Sequence, residues 1–293
     1  MVNEDRRAKL QKFRRLQSEF PPLQRPDGFQ DTHVGIVAVV GASNASGFGA
    51  AVARATLEAH PHNQIILTAR GKKVSELQQI VQQGTVYDPT RTQVIDFDVE
   101  HRFDQSGPEA NYVVITPAFM DPKYLKPSVD FANIPQEELA KSRRVTVDGF
   151  SAAARFFRYQ GAEPAVIGVS FAAHDMPGYN IGPIKRELED RVTQGSQVMP
   201  QVSQAIVTLG IFESVAGLGI EGFDKAVGMY DALGIRNPTL SEMAYGLVSR
   251  LAQGDLDRKI IELDGGLREA IADPTKRPAY EQFMAILKSQ FTP

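Results

Sequence analysis

Short apolar runs alternate along the chain with longer stretches whose apolar residues recur at helical spacing. The runs predict strands at His33–Val40, Gln64–Leu67, Gln93–Phe97, Tyr112–Ile115, Ala165–Ser170, Gln204–Leu209 and Lys259–Leu263. The stretches between them predict helices at Phe48–Ala59, Lys73–Gln83, Pro135–Arg158, Pro183–Val192, Glu221–Ala232 and Leu240–Ala252. This alternation predicts an α/β fold, a doubly wound parallel sheet of the Rossmann type with helices on both faces in a single domain. Ligands of such sheets bind at the carboxyl ends of the strands.

We expect this domain to span residues 32–267. The sequence predicts a helical addition at each end of it. Residues 1–31 predict a basic helical extension, because apolar residues recur at near-helical spacing among arginines and lysines: Leu10, Phe13, Leu16 and Phe20. We interpret it as a helix packed on its own domain or on a sister subunit, with a docking arm for a membrane or an acidic partner as the alternative. Residues 268–293 predict a C-terminal helical tail.

Composition narrows the classes of protein that the chain can belong to. Its 293 residues are 42% hydrophobic and 23% charged, which is enough for one large core. The net charge of -3 gives no global reason to expect nucleic acid as a partner. The lack of cysteine excludes disulfides, thiolate metal sites and a cysteine nucleophile. Without an apolar signal core or a membrane-spanning apolar run, we expect a cytoplasmic protein with no membrane span.

Three glycines lie at the junction of the first predicted strand and the first predicted helix, in VVGASNASGFGAAVARA. Gly41, Gly47 and Gly49 would let backbone N–H groups approach a pyrophosphate at the positive end of a helix. The usual dinucleotide fingerprint is G-x-G-x-x-G, whereas here five residues separate Gly41 from Gly47. Because the turn follows an apolar strand and precedes a helix, it predicts a dinucleotide site. A purely structural turn is the alternative.

The second predicted strand ends in ILTARGKK. An acidic residue at this position would hydrogen-bond a ribose 2′-hydroxyl, whereas an arginine accommodates a 2′-phosphate. Arg70, helped by Lys72 or Lys73, therefore predicts NADPH as the cofactor. The alternative is a solvated basic turn.

The glycine spacing resembles that of a divergent branch of the short-chain dehydrogenase/reductase superfamily, the enoyl-acyl carrier protein reductases of bacterial fatty-acid synthesis. DFDVE, VVITPAFMDP, LGIFESVAGLGIEGF and the final DGGL are similar to segments of those enzymes, and the resemblance covers roughly Val34–Leu267. It implies an NADPH-dependent oxidoreductase that forms homodimers or homotetramers. It also implies these cofactor contacts: Gly41, Ser43, Gly47, Phe48, Gly49, Arg70, Asp98, Val99, Thr116, Pro117, Ala118, Lys185, Ile211 and Ser214.

The segment IGVSFAAHDMPGYNIGPIKRELED resembles the catalytic part of the same enzymes. The resemblance implies that Lys185 holds the cofactor ribose while the Tyr179 hydroxyl hydrogen-bonds the substrate carbonyl or its enolate. Ser170 matches a strand-end serine and is the third catalytic candidate. Phe171 stands where those reductases usually carry another tyrosine. The residues expected to border the substrate are Phe119, Phe171, His174 and Phe212.

The spacing between Tyr179 and Lys185 constrains how these two side chains can meet. At about 100° per residue, six positions leave the pair about 120° apart around one continuous helix. Gly182 and Pro183 offer another arrangement, because proline suits the first turn of a helix. Tyr179 would then precede the helix that carries Lys185. In the alternative interpretation, Tyr179 is a packing residue and Lys185 a surface lysine.

Histidines and serine provide further candidate chemistry. His60 and His62 flank a proline, but without a visible third ligand we interpret them as a surface turn and expect no metal site. His174 would be either a proton donor facing the substrate or a hydrogen-bonded structural histidine. The segment GVSFA around Ser170 lacks the closing glycine of a nucleophile elbow, which argues against a serine hydrolase.

These features give one leading functional hypothesis and two alternatives. The leading one is NADPH-dependent reduction of an enoyl thioester linked to acyl carrier protein or coenzyme A, in fatty acid or polyketide biosynthesis. Phe171 favours a specialised biosynthetic pathway, because it removes one hydroxyl from the expected pocket. A ketone or β-ketoacyl reductase of the same superfamily would use the same tyrosine. A non-catalytic NADP(H)-binding protein would keep the cofactor pocket alone.

Overall fold

Seven parallel strands form the central sheet in the computed structural model. The structure describes residues 11, 12, 14, 15, 18–100, 106–194, 199, 201–212, 225–254, 256, 257 and 259–290. The strands are β1 (Ile36–Val40), β2 (Gln64–Ala69), β3 (Thr92–Asp96), β4 (Tyr112–Ile115), β5 (Ala165–Phe171), β6 (Ser203–Leu209) and β7 (Lys259–Leu263). They lie in the order β3-β2-β1-β4-β5-β6-β7, so the direction of winding reverses between β1 and β4.

Helices lie between the strands and after the last strand. They are α1 (Phe48–Ala59), α2 (Lys72–Gln83), α3 (Gln136–Arg143), α4 (Gly149–Phe156), α5 (Gly182–Thr193), α6 (Gly228–Ala232), α7 (Leu240–Gln253), α8 (Leu267–Ala272) and α9 (Arg277–Ser289). A second, two-residue ladder pairs Glu109–Ala110 with Arg158–Tyr159. Of the helices in the described part of the chain, none is long and apolar enough to cross a membrane.

Both faces of the sheet are covered, which explains why the central strands β1, β4 and β5 are continuous apolar runs. Along β1, Ala38 and Val40 belong to the core that contains α4 and α5. Val37 and Val39 belong to the core that contains α1, α2 and α7. Successive side chains of a strand point to opposite faces, so a strand covered on both sides needs apolar residues at every position. The predicted doubly wound fold with helices on both faces of one domain is confirmed.

The helix predicted at Pro135–Arg158 is present as helical backbone from Gln136 to Phe156. A π-helical turn at Arg144–Asp148 joins α3 to α4, and it contains the β-branched run Val145, Thr146 and Val147. Such residues favour a regular α-helix less than most. The helix also ends earlier than predicted, because Arg158 pairs with Glu109 in the short ladder. Of the helix predicted at Glu221–Ala232, residues 221–224 lie outside the described part.

The segment before β1 packs on the α1 and α7 side of the sheet. Phe20 makes an edge-to-face contact with Tyr87 at 5.7 Å between ring centroids, and Phe29 makes one with Tyr245 at 4.8 Å. The N-terminal residues that the structure describes are helical at 11, 12, 14, 15 and 18. Three of the four apolar residues of the predicted extension lie outside the described residues, so its amphipathic helix stays a prediction.

Candidate active site

A cavity of about 750 Å³ lies along the carboxyl ends of strands β1 to β6 and crosses the point where the winding reverses. Open α/β sheets bind their ligands at this position, and the volume is within the range of small-molecule sites. The predicted site residues that line it are Gly41, Ser43, Gly47, Phe48, Gly49, Arg70, Asp98, Val99, Thr116, Pro117, Ala118, Phe119, Ser170, Phe171, Tyr179, Lys185 and Phe212.

Of the predicted site residues that the structure describes, Ile211 and His174 do not belong to this lining. The backbone of Ile211 is held by the Asn237 amide, which accepts from its N–H at 3.0 Å and donates to its carbonyl at 2.7 Å. The Ile211 side chain is buried in the hydrophobic core. His174 is buried as well, and its imidazole is hydrogen-bonded to Glu189 at 2.9 Å. Ser214 lies outside the described residues.

The glycine-rich turn brings the ends of β1 and β4 into close contact. Gly41 has a φ of +89°, and a Cβ at this position would lie 2.6 Å from Thr116 Oγ1. Thr116 Oγ1 in turn donates a hydrogen bond to the Val40 carbonyl at 2.8 Å. Only glycine satisfies both the left-handed backbone and the lack of space. A Cβ at Gly49 would lie 3.0 Å from the Val39 side chain, which shows that α1 starts close to β1.

Helix α1 directs its positive end into the cavity. Gly47 is its N-cap, and no side chain caps the first N–H groups. The first turn, Phe48 to Ala51, carries no acidic residue. Because Gly47, Phe48 and Gly49 line the cavity, these N–H groups and the helix dipole are available to an anionic ligand there.

Arg70 extends from the end of β2 and is 66% exposed. Its Nη1 lies 3.4 Å from a carboxylate oxygen of Asp98 and 3.4 Å from one of Glu100. At that length and exposure, neither ion pair holds the guanidinium strongly. The cation is therefore available to a phosphate at this edge of the cavity, with two carboxylates beside it. The sequence interpretation included Asp98 but missed Glu100, although DFDVE places both after the same strand.

Tyr179 and Lys185 reach the cavity from two different backbone segments. The Tyr179 carbonyl accepts a hydrogen bond from the Gly182 N–H at 2.7 Å, in the turn before α5. Helix α5 begins at Gly182, with Pro183 in its first turn, so Tyr179 precedes the helix that carries Lys185. A Cβ at Gly182 would lie 1.9 Å from the His174 carbonyl oxygen, so only glycine allows this close packing.

Burial controls the protonation of both side chains. Lys185 is 4% exposed, and its Nζ donates a hydrogen bond to the Val169 carbonyl at 2.5 Å. Burial lowers the pKa of Lys185 to about 8, and the negative charge of Glu189 opposes that change. Burial, reinforced by Glu189, raises the pKa of Tyr179 above its ordinary value. At neutral pH the phenol is therefore a neutral hydrogen-bond donor.

A buried hydrogen-bond network lies behind the catalytic candidates. The Ser170 hydroxyl is 3.3 Å from Nε2 of His174, and the same nitrogen is 2.9 Å from Oε1 of Glu189. Arg268 of α8 donates to the other carboxylate oxygen of Glu189 at 2.8 Å. The sequence interpretation named Ser170 and His174 but missed Glu189 and Arg268. The spacing of four residues between Lys185 and Glu189 is the one local signal for that carboxylate.

Aromatic residues border the Tyr179 end of the cavity. The rings of Phe171 and Tyr179 meet edge to face at 5.4 Å, and the Lys141 ammonium lies 4.3 Å from the Phe119 ring centroid. Phe212 completes this set. Lys141 was missed in the sequence, because its contact with Phe119 joins α3 to the loop after β4.

His60 and His62 of the turn before β2 lie in a row of tilted rings with His33, which precedes β1. Ring centroids are 4.9 Å apart for His33 and His60, and 5.3 Å apart for His60 and His62. Within the described ranges, no three histidine or carboxylate side chains are arranged to hold a metal ion.

Comparisons with known proteins give matches among solved structures. Neither a family model nor a curated protein matches the chain. The enoyl-acyl carrier protein reductase of Bacillus cereus, solved with NADP+ and indole naphthyridinone, superposes with a TM-score of 0.67 at 15% identity. The enoyl-[acyl-carrier-protein] reductase (NADH) of Aquifex aeolicus VF5 gives a TM-score of 0.63 at 14% identity. Each superposition covers 80% of this chain and 96% of the other.

The chain has the fold of enoyl-acyl carrier protein reductases. The resemblance predicted from the sequence motifs is thus confirmed at the level of the fold. One of the two similar structures contains NADP+ and the other is named for NADH, so the shared fold does not choose between the two cofactors.

Proposed function

We propose that the protein is an NADPH-dependent reductase of an enoyl thioester carried by acyl carrier protein or coenzyme A. The observation that carries the proposal is the meeting of Tyr179 and Lys185 in one cavity with the glycine-rich turn. The two fold neighbours are named as enoyl-acyl carrier protein reductases, which supports the same reaction.

The lining of the cavity fits a dinucleotide. The uncapped start of α1 at Gly47 suits the pyrophosphate, and Asp98 with Val99 would border the adenine. Arg70 would pair with the 2′-phosphate of NADPH. Thr116, Pro117 and Ala118 would line the nicotinamide ribose, and Lys185 would hold its hydroxyls. When bound, the cofactor would supply a hydride to the β-carbon of the enoyl group.

Tyr179 and Lys185 would stabilise the charge that this addition creates on the substrate. The neutral phenol of Tyr179 donates a hydrogen bond to the thioester carbonyl oxygen, where negative charge collects as the enolate forms. The buried ammonium of Lys185 lowers the energy of that charge, because few water molecules screen it. A proton from solvent then adds to the α-carbon and completes the saturated thioester.

The apolar environment of Tyr179 supports a substrate from a specialised pathway. Phe171 meets Tyr179 edge to face, so the substrate meets a ring rather than a hydroxyl at that position. Fatty acid or polyketide biosynthesis supplies enoyl thioesters of this class.

We further propose that residues 32–267 form the reductase unit and that residues 1–31 and 268–293 are helical additions in a homodimer or homotetramer. The tail packs on its own chain. Tyr280 of α9 donates to a carboxylate oxygen of Asp175 in the loop before α5. A Cβ at Gly228 of α6 would lie 3.3 Å from the Phe283 ring of α9.

The experiment is an assay of NADPH oxidation with a trans-2-enoyl thioester and with a β-keto thioester. With cofactor deuterated at the transferred position, mass spectrometry locates the label. Deuterium on the β-carbon of a saturated thioester supports the proposal, and deuterium on a carbinol carbon supports the ketone reductase. NADPH binding without turnover of either substrate supports the non-catalytic alternative.

Tyr179→Phe and Tyr159→Phe form a matched pair for this assay. The Tyr159 hydroxyl is part-buried, but it bonds to the Ala154 carbonyl at 2.9 Å and does not line the cavity. Tyr179→Phe should lower turnover by about a hundredfold or more, the usual range for loss of one hydrogen-bond donor to a developing oxyanion. Tyr159→Phe should retain it.

A further inference from the structure

Glu189 is a buried carboxylate one helical turn beyond Lys185 on α5. It is 3% exposed and Lys185 is 4% exposed. Residues four apart lie on the same face of a helix, so the anion and the ammonium share one buried environment. Burying a charge costs free energy unless hydrogen bonds or an opposite charge compensate it. The Glu189 carboxylate therefore needs partners that offset this cost.

Three partners from other elements hold the Glu189 carboxylate. Arg268 of α8 donates to one oxygen at 2.8 Å, and His174, from the loop after β5, contacts the other at 2.9 Å. The Ser170 hydroxyl of β5 lies 3.3 Å from the same imidazole nitrogen. Burial raises the pKa of Glu189, but the hydrogen bonds from His174, Ser170 and Arg268 outweigh it and leave the pKa below its ordinary value. Glu189 is therefore an anion at neutral pH.

The arrangement of serine, histidine and glutamate is not that of a hydrolase. In a hydrolytic triad, one ring nitrogen of the histidine contacts the serine and the other contacts the carboxylate. Here both contacts are made by Nε2 of His174. The imidazole cannot pass a proton from Ser170 through the ring to Glu189, so the network has another use.

We propose that Glu189 is a positioning residue that keeps the Lys185 ammonium protonated in the cavity, with His174 and Arg268 fixing its carboxylate. The proposal rests on the proposed function, because it assigns this ammonium to the reduction. A fixed negative charge in a poorly hydrated site favours the protonated form of a titratable neighbour. Glu189 acts in this direction on Lys185. The groups around it are Ser170 on β5, His174 on the following loop and Arg268 on α8.

The direct test is the titration of Lys185 in the apo protein by NMR, with isotope-labelled lysine side chains and Lys185→Arg to assign the signal. Glu189→Gln keeps the shape of the side chain and removes its charge. We expect the pKa of Lys185, about 8 in the wild type, to fall by about one unit, a tenfold loss of proton affinity. Glu187→Gln is the control, because Glu187 lies on the same helix but pairs with the exposed Arg143. An unchanged Lys185 titration in folded Glu189→Gln would overturn the proposal.

A second pair of variants keeps the test decisive if Glu189→Gln does not fold. His174→Gln retains a donor for the carboxylate and should leave the Lys185 titration near that of the wild type. His174→Leu removes the donor and should change it, whereas identical titrations in the two variants would count against the proposal. This readout needs no turnover, so it separates failure of this inference from failure of the proposed function. Where turnover is present, the alkaline limb of the kcat profile should move to lower pH by the same amount in Glu189→Gln.

Discussion

The ammonium of Lys185 donates a hydrogen bond to the carbonyl oxygen of Val169, with 2.5 Å between the two atoms. Val169 lies in β5, directly before Ser170, so this bond joins α5 to the end of the strand at the cavity wall. The position of the ammonium is thus set by the sheet and a helix rather than by a loop. Sites on such rigid elements hold their geometry more closely than sites on loops.

Lys185 should make the stability of the protein depend on alkaline pH. Burial lowers its pKa from 10.5 to about 8. Between these values the unfolded chain binds a proton that the folded protein does not, so stability rises with pH in this window. Below about pH 8 the folded protein bears the full cost of burying the charge. The free energy of unfolding should rise by about 2 kcal/mol between about pH 7.5 and about pH 9.5, as that charge is lost. Urea unfolding of the wild type and Lys185→Met measures this change.

The comparison of the two proteins isolates Lys185 from other groups that titrate at alkaline pH. Lys185→Met lacks the titrating amine. The wild type should therefore become more stable relative to Lys185→Met as pH rises. A difference that stays constant across the window would show that Lys185 keeps an ordinary pKa.

Arg70 should determine the preference for NADPH over NADH. Arg70→Ala removes a charged donor from the 2′-phosphate, which corresponds to about a ten- to hundredfold rise in KM for NADPH. The KM for NADH should change little, because that cofactor has a hydroxyl in place of the phosphate. Arg277→Ala is a suitable control, since Arg277 is an exposed arginine of α9 paired with Glu281. Equal losses with both cofactors would contradict this role.

Gly41 should tolerate no side chain. Gly41→Ala combines the strain of a φ of +89° with a Cβ 2.6 Å from Thr116 Oγ1, whereas Gly28→Ala has a φ of +76° and open space. Gly28→Ala should cost about 1–2 kcal/mol of strain alone. Gly41→Ala should cost about 1–3 kcal/mol more from overpacking and weaken NADPH binding. Thermal unfolding and cofactor fluorescence measure the two effects, and similar behaviour of both variants would argue against close packing at this turn.

Tyr280 should connect the C-terminal helix to catalysis. Its hydroxyl donates to Asp175, four residues before Tyr179 in the chain. Tyr280→Phe should lose about 1 kcal/mol of stability and lower kcat, because the loop that carries Tyr179 is held less firmly. Tyr245→Phe, which removes a similar bond to Glu58 on the other face of the sheet, should lose comparable stability with unchanged kcat. The same kcat in both variants would mean that α9 does not affect the site.

Much of the fold could be predicted from local pattern because both faces of the sheet are buried. The strand predicted at Tyr112–Ile115 and the helix predicted at Phe48–Ala59 agree with the structure residue for residue. The helix predicted at Pro135–Arg158 ends at Phe156 in the structure, because a long-range pairing decides the backbone there and Arg158 pairs with Glu109. No local signal marks such a partner.

Local sequence likewise predicted some residues of the candidate site and missed others. Tyr179 and Lys185 are close in sequence, and the Gly182–Pro183 step between them indicated that the helix begins after the tyrosine. Arg268 lies 79 residues beyond Glu189, so its bond to that carboxylate depends on the docking of α8. The sequence therefore predicted Tyr179 and Lys185, which line the cavity, but not the Glu189 carboxylate.

A crystal structure of the protein with bound NADP+ tests the central claim most directly. We predict that the Tyr179 hydroxyl and the Lys185 ammonium both lie within hydrogen-bond distance of the nicotinamide ribose, with Arg70 at the 2′-phosphate. A complex in which these two groups point into different surroundings would contradict the proposed reduction and leave a cofactor-binding pocket without this chemistry.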